Sequence, residues 1–296
     1  MNNILKRIKG IRVLDNEPLE KHTSFRIGGG ARYFIKVYSI KALKKVLEFI
    51  KKRRMRYFVI GAGTNILCSD AGFDGAVIKL EGIFKRMRRK DNFFICGAGV
   101  TIDRFLTAAG KAGYGGAEFL AGIPGTIGGA VKGNAGAFGR SISEIIEGIT
   151  VIDTGSDLGR KDLSREELRF DYRRSHIKDD KIILFATLKL KRRAYKYIQR
   201  ALSAKRKWRR RRQPAGYSAG SFFKNPRPQS AGKLIEECGL LGLRVGGAEV
   251  SRKHGNWIIN TGNAKASDVL KLMRIIKQTV RLKKGVLLKE EVKILR

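Results

Sequence analysis

The sequence predicts an α+β protein of two or three small domains, and three observations carry that prediction. Windows with apolar residues at helical spacing are mixed along the chain with short apolar runs of strand length. The two kinds alternate throughout, and no internal repeat marks a solenoid or propeller. At 296 residues with 43% hydrophobic content, the chain is long enough to bury a proper core.

Ile35 to Val37 reads as a short strand. Leu43, Val46, Leu47 and Ile50 follow at i, i+3, i+4 and i+7, the buried stripe of an amphipathic helix with lysines outside. Tyr57 to Ile60 is an apolar strand running straight into Gly61-Ala62-Gly63-Thr64-Asn65. Further strands are expected at 76–80, 93–96, 150–152 and 182–190. Between them Thr101 caps a helix whose inner face is Ile102, Phe105, Leu106 and Ala109. From Gly113 to Gly139 the chain is glycine-dense, yet Phe119, Leu120, Ile123, Ile127 and Val131 argue for ordered structure rather than a linker. A basic cluster at 205–212 followed by Pro214 marks a domain boundary. Beyond it come a short helix near 233–238, a longer one from about Ser267 with Val269, Leu272, Met273, Ile276 and Val280 inside, and a strand over 287–295.

The charge balance is unusual: 63 Lys and Arg against 26 Asp and Glu give a formal net charge of +37. Such a field favours polyanions, whether nucleic acid, anionic membrane or phosphate-bearing small molecules. The cluster at 205–212 alone suggests an RNA or membrane patch. Because the excess runs over the whole length, a general bias toward cations on solvated faces explains it better. No apolar run reaches the roughly 18 residues of a membrane span. The basic N-terminus lacks the apolar stretch of a secretory signal. Cys68, Cys96 and Cys238 are scattered and odd in number, which fits reduced core thiols in a cytoplasm and neither a disulfide framework nor a metal site.

Three segments hold chemistry-bearing residues. Glycines after a strand, as in 61–65, let backbone approach a ligand and offer free N–H groups to an anion; the alternative is an ordinary tight turn. It is neither a P-loop nor the spaced dinucleotide fingerprint. The run 122–130, continuing through 134–139, allows backbone to lie flat against a large planar or phosphate-bearing ligand. Two such elements raise the case for a dinucleotide between them. In 218–226 a serine stands between Gly220 and Phe222, which is not a nucleophile elbow, and spacing alone leaves it a turn residue.

Together the motifs HTSFRIGG (22–29), VIGAGTNIL (59–67), EFLAGIPGTIGGAVKGNAGAFG (118–139), FDYRRS (170–175), SAGSFFKNP (218–226), AGKLIEECGL (231–240) and HGNWIINTGNA (254–264) resemble the UDP-N-acetylenolpyruvoylglucosamine reductase family of peptidoglycan precursor synthesis. The resemblance runs from about Pro18 to the last residue. It implies an FAD-binding fold of the vanillyl-alcohol-oxidase (PCMH) type with a C-terminal α+β substrate-binding domain. The implied division is 1–80 and 81–200 as two FAD-binding subdomains and 201–296 for substrate, with about 286–296 returning to the flavin. FAD would be held by Gly61, Ala62, Gly63, Thr64 and Asn65 at the pyrophosphate and by Gly125, Thr126, Gly128, Gly129, Asn134, Gly136 and Ala137. Catalysis is implied for Arg173, Ser221 and Glu291, with Tyr172, Lys224 and Asn225 near the substrate. NADPH would supply the hydride, and the enolpyruvyl ether of a nucleotide sugar would accept it. A cation such as Arg173 suits the enolate that develops, and a carboxyl such as Glu291 can assist it. Ser221 suits the proton delivery.

Some positions depart from the family pattern: Gly30, Gly133, Tyr217, Lys289 and Lys293. Lys289 and Lys293 bring cations toward Glu291, against a protonated role for it. Glu290 adjoins Glu291, and strand alternation puts only one of them toward the site. His254 and Trp257 read as structural. The span from Leu190 to Ser221 is too short for a substrate-capping loop, so the resemblance is to the shorter type. A cytoplasmic monomer is expected, with no membrane insertion and no requirement for nucleic acid. The alternatives are another FAD-dependent oxidoreductase of the same fold or a basic nucleic-acid-associated protein.

Overall fold

The computed structural model describes residues 3–296. Its contacts separate two compact units, each assembled from segments distant in sequence. The first comprises 1–14, 33–62 and 75–209; the second comprises 15–32, 63–74 and 210–296. This differs from the contiguous division at 80 and 200. The reason is that Phe25, Ile27 and Leu67, early in sequence, pack in the same core as Phe222, Leu272 and Val292.

In the first unit an antiparallel sheet runs in the order Arg160–Ser164, Ile146–Asp153, Lys181–Lys189, Phe93–Gly97 and Met87–Lys90. A four-stranded sheet orders Ile11–Pro18, Gly30–Val37, Phe73–Leu80 and Tyr57–Ile60. Its last pair is parallel, with Ile60 opposite Lys79. The helix Ile40–Lys52 begins at Ser39, whose side chain accepts from the Ala42 N–H, and buries Leu43, Val46, Leu47 and Ile50 as its spacing predicts. Helix Ile102–Lys111 is capped by Thr101 and buries Ile102, Phe105, Leu106 and Ala109. Apolar burial of this kind contributes about 25 cal/mol per Å², so these stripes anchor both helices. The glycine-dense stretch is ordered: it holds the short helix Ile127–Lys132 and the hairpin of Gly136–Ala137 with Arg140–Ser141.

The basic cluster is the end of an 18-residue helix, Tyr195–Arg212, that buries Ile198 and Leu202. The sequence marks this cluster only as a domain boundary; a run of Lys and Arg carries good helix propensity, and the apolar residues upstream give it a face to pack.

The second unit has a sheet ordered Arg244–Val245, Ala248–Val250 and Ile258–Asn260, and the parallel pair Ile66–Cys68 with Lys293–Leu295. The expected strand over 287–295 is shorter, covering only Lys293–Leu295, with Glu290 forming an isolated bridge to Phe223. Helix Ala266–Lys284 buries Val269, Leu272, Met273, Ile276 and Val280 and stops at Gly285 with φ +67°. Asp70 caps it, its carboxylate accepting from the Ala266 and Ser267 N–H groups at 2.6 and 3.0 Å. Partial burial would raise the Asp70 pKa, but those N–H groups outweigh it and hold it below the usual range. All three cysteines are buried thiols. Burial pushes Cys68 and Cys96 up to about 12. Among the described residues, no helix is long and apolar enough to cross a membrane.

Candidate active site

In the first unit the two glycine segments meet. A Cβ built on Gly61 would stand 2.7 Å from Thr126 Oγ1, so the turn leaving strand Tyr57–Ile60 lies against Thr126 with no room for a side chain. Thr126 Oγ1 accepts from the Gly129 N–H at 3.3 Å. The Ile127 and Gly128 N–H groups donate to Val100 and Ala98 carbonyls at 2.8 and 2.9 Å. A Cβ on Gly128 would meet Ala98 Cβ at 2.8 Å, so the segment is pressed flat on neighbouring backbone.

The FDYRRS segment is fastened to this surface. Asn134 Nδ2 donates to the Asp171 carbonyl at 2.8 Å, Arg173 Nη2 to the Gly136 carbonyl at 2.7 Å, and Ser175 Oγ to the Lys132 carbonyl at 2.7 Å. Thus Tyr172 and Arg173 stand beside Asn134, Gly136 and Ala137. Arg173 itself has φ +54°, a left-handed conformation that a bulky residue adopts only when its surroundings impose it.

Arg209 completes this half, and sequence reasoning missed it. Its Nε is buried with no hydrogen-bond partner among the described residues. Its side chain lies over Gly122, where a Cβ would be 2.8 Å from Arg209 Cδ. Burial first, and then the charge of Arg173, lower its pKa to about 10. Six other cations in an eight-residue cluster hid the one that points inward. Its helical phase was the usable signal, since Arg209 follows buried Ile198 and Leu202 at i+11 and i+7.

In the second unit Gly63 has φ +65°, and a Cβ there would be 2.0 Å from the His22 carbonyl oxygen. Ser24 N–H donates to the Gly63 carbonyl at 3.0 Å. Ser24 Oγ donates to the Ser218 carbonyl at 2.7 Å. This brings HTSFRIGG, Gly63 to Asn65 and SAGSFF together. Thr23 Oγ1 is buried beside Gly63 with no partner in the protein.

Ser221 forms a bridge with Trp257. The next residues are clamped by Asn256, a second residue missed in the sequence. Its Oδ1 accepts from the Phe223 N–H at 2.9 Å and its Nδ2 donates to the Phe223 carbonyl at 2.7 Å. The Glu291 N–H donates to the Phe222 carbonyl at 2.8 Å, so Glu291 and Ser221 sit on adjoining extended segments. Asn65 Nδ2 donates to the Glu291 carbonyl at 3.1 Å, and the Lys293 N–H donates to the Asn65 carbonyl at 3.0 Å. Asn65 therefore holds the segment that carries Glu291. Glu290 pairs with Lys277 at 3.1 Å. Asn225 spends its Oδ1 on the Ala231 N–H at 3.0 Å, which makes it a positioning residue for the helix Ala231–Glu237. Lys224 is half-buried, with its N–H on the Lys289 carbonyl at 2.8 Å. His254, half-buried, accepts at Nδ1 from the Asn256 N–H at 3.2 Å, a structural role.

Known proteins resemble the chain over nearly its whole length. Described as "UDP-N-acetylenolpyruvoylglucosamine reductase", a protein of Anoxybacillus flavithermus is 39% identical over 95% of this chain and 94% of its own. The chain belongs to the UDP-N-acetylenolpyruvoylglucosamine reductase family. The reductase of that description from Bacillus subtilis is 38% identical, over 96% of this chain and 94% of its own. The family profile "UDP-N-acetylenolpyruvoylglucosamine reductase, C-terminal domain" matches 213–295, and "FAD binding domain" matches 31–158. The crystal structure of the reductase from Thermus caldophilus superposes with a TM-score of 0.83 at 36% identity, covering 97% of this chain and 99% of that one. Physcomitrella patens BBE-like 1, at 15% identity and a TM-score of 0.50 over 64% of this chain and 44% of that one, shares the fold. The chain has the α+β fold of FAD-binding flavoenzymes.

The residues present suit an FAD. Among the described residues the Gly63 N–H has no acceptor in the protein, and Thr23 Oγ1 is an orphan beside it. Such donors around a glycine turn are what a pyrophosphate accepts from.

Proposed function

We propose that the protein reduces the enolpyruvyl ether of UDP-N-acetylglucosamine enolpyruvate to UDP-N-acetylmuramate, with NADPH as reductant, in cytoplasmic peptidoglycan synthesis. The observation that carries this reading is the placing of Ser221 and Glu291 on adjoining segments, joined by the Glu291 N–H on the Phe222 carbonyl at 2.8 Å. An FAD oxidoreductase acting on an alcohol has no need of a serine and a carboxyl fixed in this way.

The chemistry that FAD would bring when bound is hydride donation to the vinyl carbon. Gly61 to Asn65 would hold its pyrophosphate, and Thr126 to Gly129 with Asn134 to Ala137 would line its remainder. The stretch matched as an FAD binding domain, 31–158, serves the cofactor, and 213–295 serves the substrate. Arg173, fixed on the Gly136 carbonyl, stabilises the negative charge that develops beside the substrate carboxylate. Arg209 shares this work: two neighbouring guanidinium groups, one with a buried N–H that lacks an acceptor, suit an anionic ligand. Ser221 delivers the proton that completes the reduction. Its side chain is half-buried, partly open to a ligand. Tyr172 flanks Arg173, with the guanidinium 5.2 Å from its ring centroid, and Lys224 meets substrate polar groups.

The test is an anaerobic spectrum. Flavin that bleaches with NADPH and recovers its colour on adding UDP-N-acetylglucosamine enolpyruvate is the expected result. Flavin that bleaches and stays bleached sinks the substrate assignment.

A further inference from the structure

The second unit carries a groove of about 380 Å³ that the reaction does not use. One wall is the outer face of helix Ala266–Lys284, with Leu270, Arg274, Lys277 and Arg281 at i, i+4, i+7 and i+11. The other is the segment that follows, through Leu287, Glu290 and Ile294, with Met273 between them. Arg274, Lys277 and Arg281 line the groove together with Glu290, and that carboxylate is already paired with Lys277. Among the described residues Arg274 and Arg281 have no carboxylate partner. Leu287 is 59% exposed, an apolar side chain held open to solvent beside them.

We propose that this groove is a second binding site, taking an organic phosphate of the nucleoside di- or triphosphate class. Its volume lies within the range of small-molecule pockets. The Arg274 and Arg281 guanidinium groups, two helical turns apart with the Lys277 ammonium between them, suit the anionic oxygens of a di- or triphosphate. Leu270, Leu287 and Ile294 then cover the apolar or planar remainder of the ligand.

The groove lies behind the catalytic segment. Glu290 faces the groove, and alternation along extended chain turns Glu291 the other way. A phosphate that takes Lys277 from Glu290 frees the residue adjoining Glu291, which is hydrogen-bonded to Phe222, next to Ser221. Occupancy therefore alters the reduction step by repositioning Glu291. This coupling rests on the reductase reading, whereas the binding itself does not.

The experiment titrates ATP, and separately tripolyphosphate, into the FAD-loaded protein by calorimetry, and compares an R274E/R281E variant. Saturable ATP binding that weakens at least tenfold in the variant, with flavin content and ATP-free turnover unchanged, is the expected result. ATP bound equally by the variant sits in the site for substrate or reductant and overturns the proposal, as does no binding. Tripolyphosphate binding as tightly as ATP removes the apolar wall and overturns the organic-phosphate assignment. ATP should also change the rate of flavin reoxidation by substrate several-fold in the wild type and not in the variant. A change that persists in the variant is competition at the active site and overturns the coupling. If turnover is absent altogether, the calorimetric arm still decides whether the groove binds.

Discussion

The two units hold their functional residues by different means. In the first, glycines let backbone press against backbone around Gly61, Gly128 and Gly136, and two arginines supply charge. In the second, buried amide side chains do the holding: Asn256 clamps Phe223 through two bonds, and Asn260 donates to the Phe25 carbonyl at 3.1 Å. The first arrangement presents N–H groups and cations, which suits binding large anions. The second presents a hydroxyl and a carboxyl on a braced scaffold, which suits moving one proton. Recognition of a cofactor tolerates a surface built from main chain, whereas proton transfer needs side chains fixed to within a fraction of an ångström.

If this contrast holds, substitutions in the two units should fail differently. The largest effect belongs to Ser221→Ala, which should slow flavin reoxidation by substrate about 10²–10⁴-fold. Bleaching by NADPH should stay near wild type, and stopped-flow of the two half-reactions separates these. Asn256→Ala strands the Phe223 N–H and carbonyl in a buried site, at a cost of roughly 2–5 kcal/mol. Urea unfolding should show this, and a variant as stable as wild type would remove the amide clamp from the argument. Arg209→Gln should lower kcat/KM by about 10–100-fold with little change in stability, since it removes charge-assisted bonds to ligand rather than a scaffold contact. A large loss of stability instead would make Arg209 structural. Gly128→Ala forces a methyl within 2.8 Å of Ala98 Cβ. It should cost about 1–3 kcal/mol by overpacking and weaken FAD retention, read by flavin fluorescence on dilution.

The smallest effect is a pH dependence. Burial lowers the His254 pKa, so the ring stays neutral in the folded protein below the pH at which the unfolded chain takes up its proton. Stability should therefore fall as pH drops below about 6.5, until the buried ring protonates as well. His254→Gln should flatten that part of the curve between pH 7 and 5. An unchanged slope would place the acid sensitivity elsewhere.

Regular elements with strong periodicity were legible. The stripes of helices Ile40–Lys52, Ile102–Lys111 and Ala266–Lys284 came from spacing alone, and the Ser39 and Thr101 caps agree with them. The contacts between the two glycine segments, which the sequence suggested would flank one ligand, are present at Gly61 and Thr126. Arg209 was not legible, because its neighbours in sequence have the same charge and only packing tells one guanidinium from the next. Asn256 was hidden for another reason. An amide that satisfies a distant backbone has no local pattern, since its partners are 33 residues away. The motif's spacing to Val292 favours Glu291 over Glu290, and in the structure Glu290 pairs with Lys277.

By itself the sequence determined which residue types were available and the local form of most elements, because helical period, capping and glycine turns are short-range properties. Its motifs, read as a set, also determined the family. Tertiary structure alone decided how the chain is divided. Residues 15–32 and 63–74 join the C-terminal unit because burial rewards apolar side chains wherever in the chain they arise. It also decided which cation is buried, since that depends on packing between residues far apart in the chain.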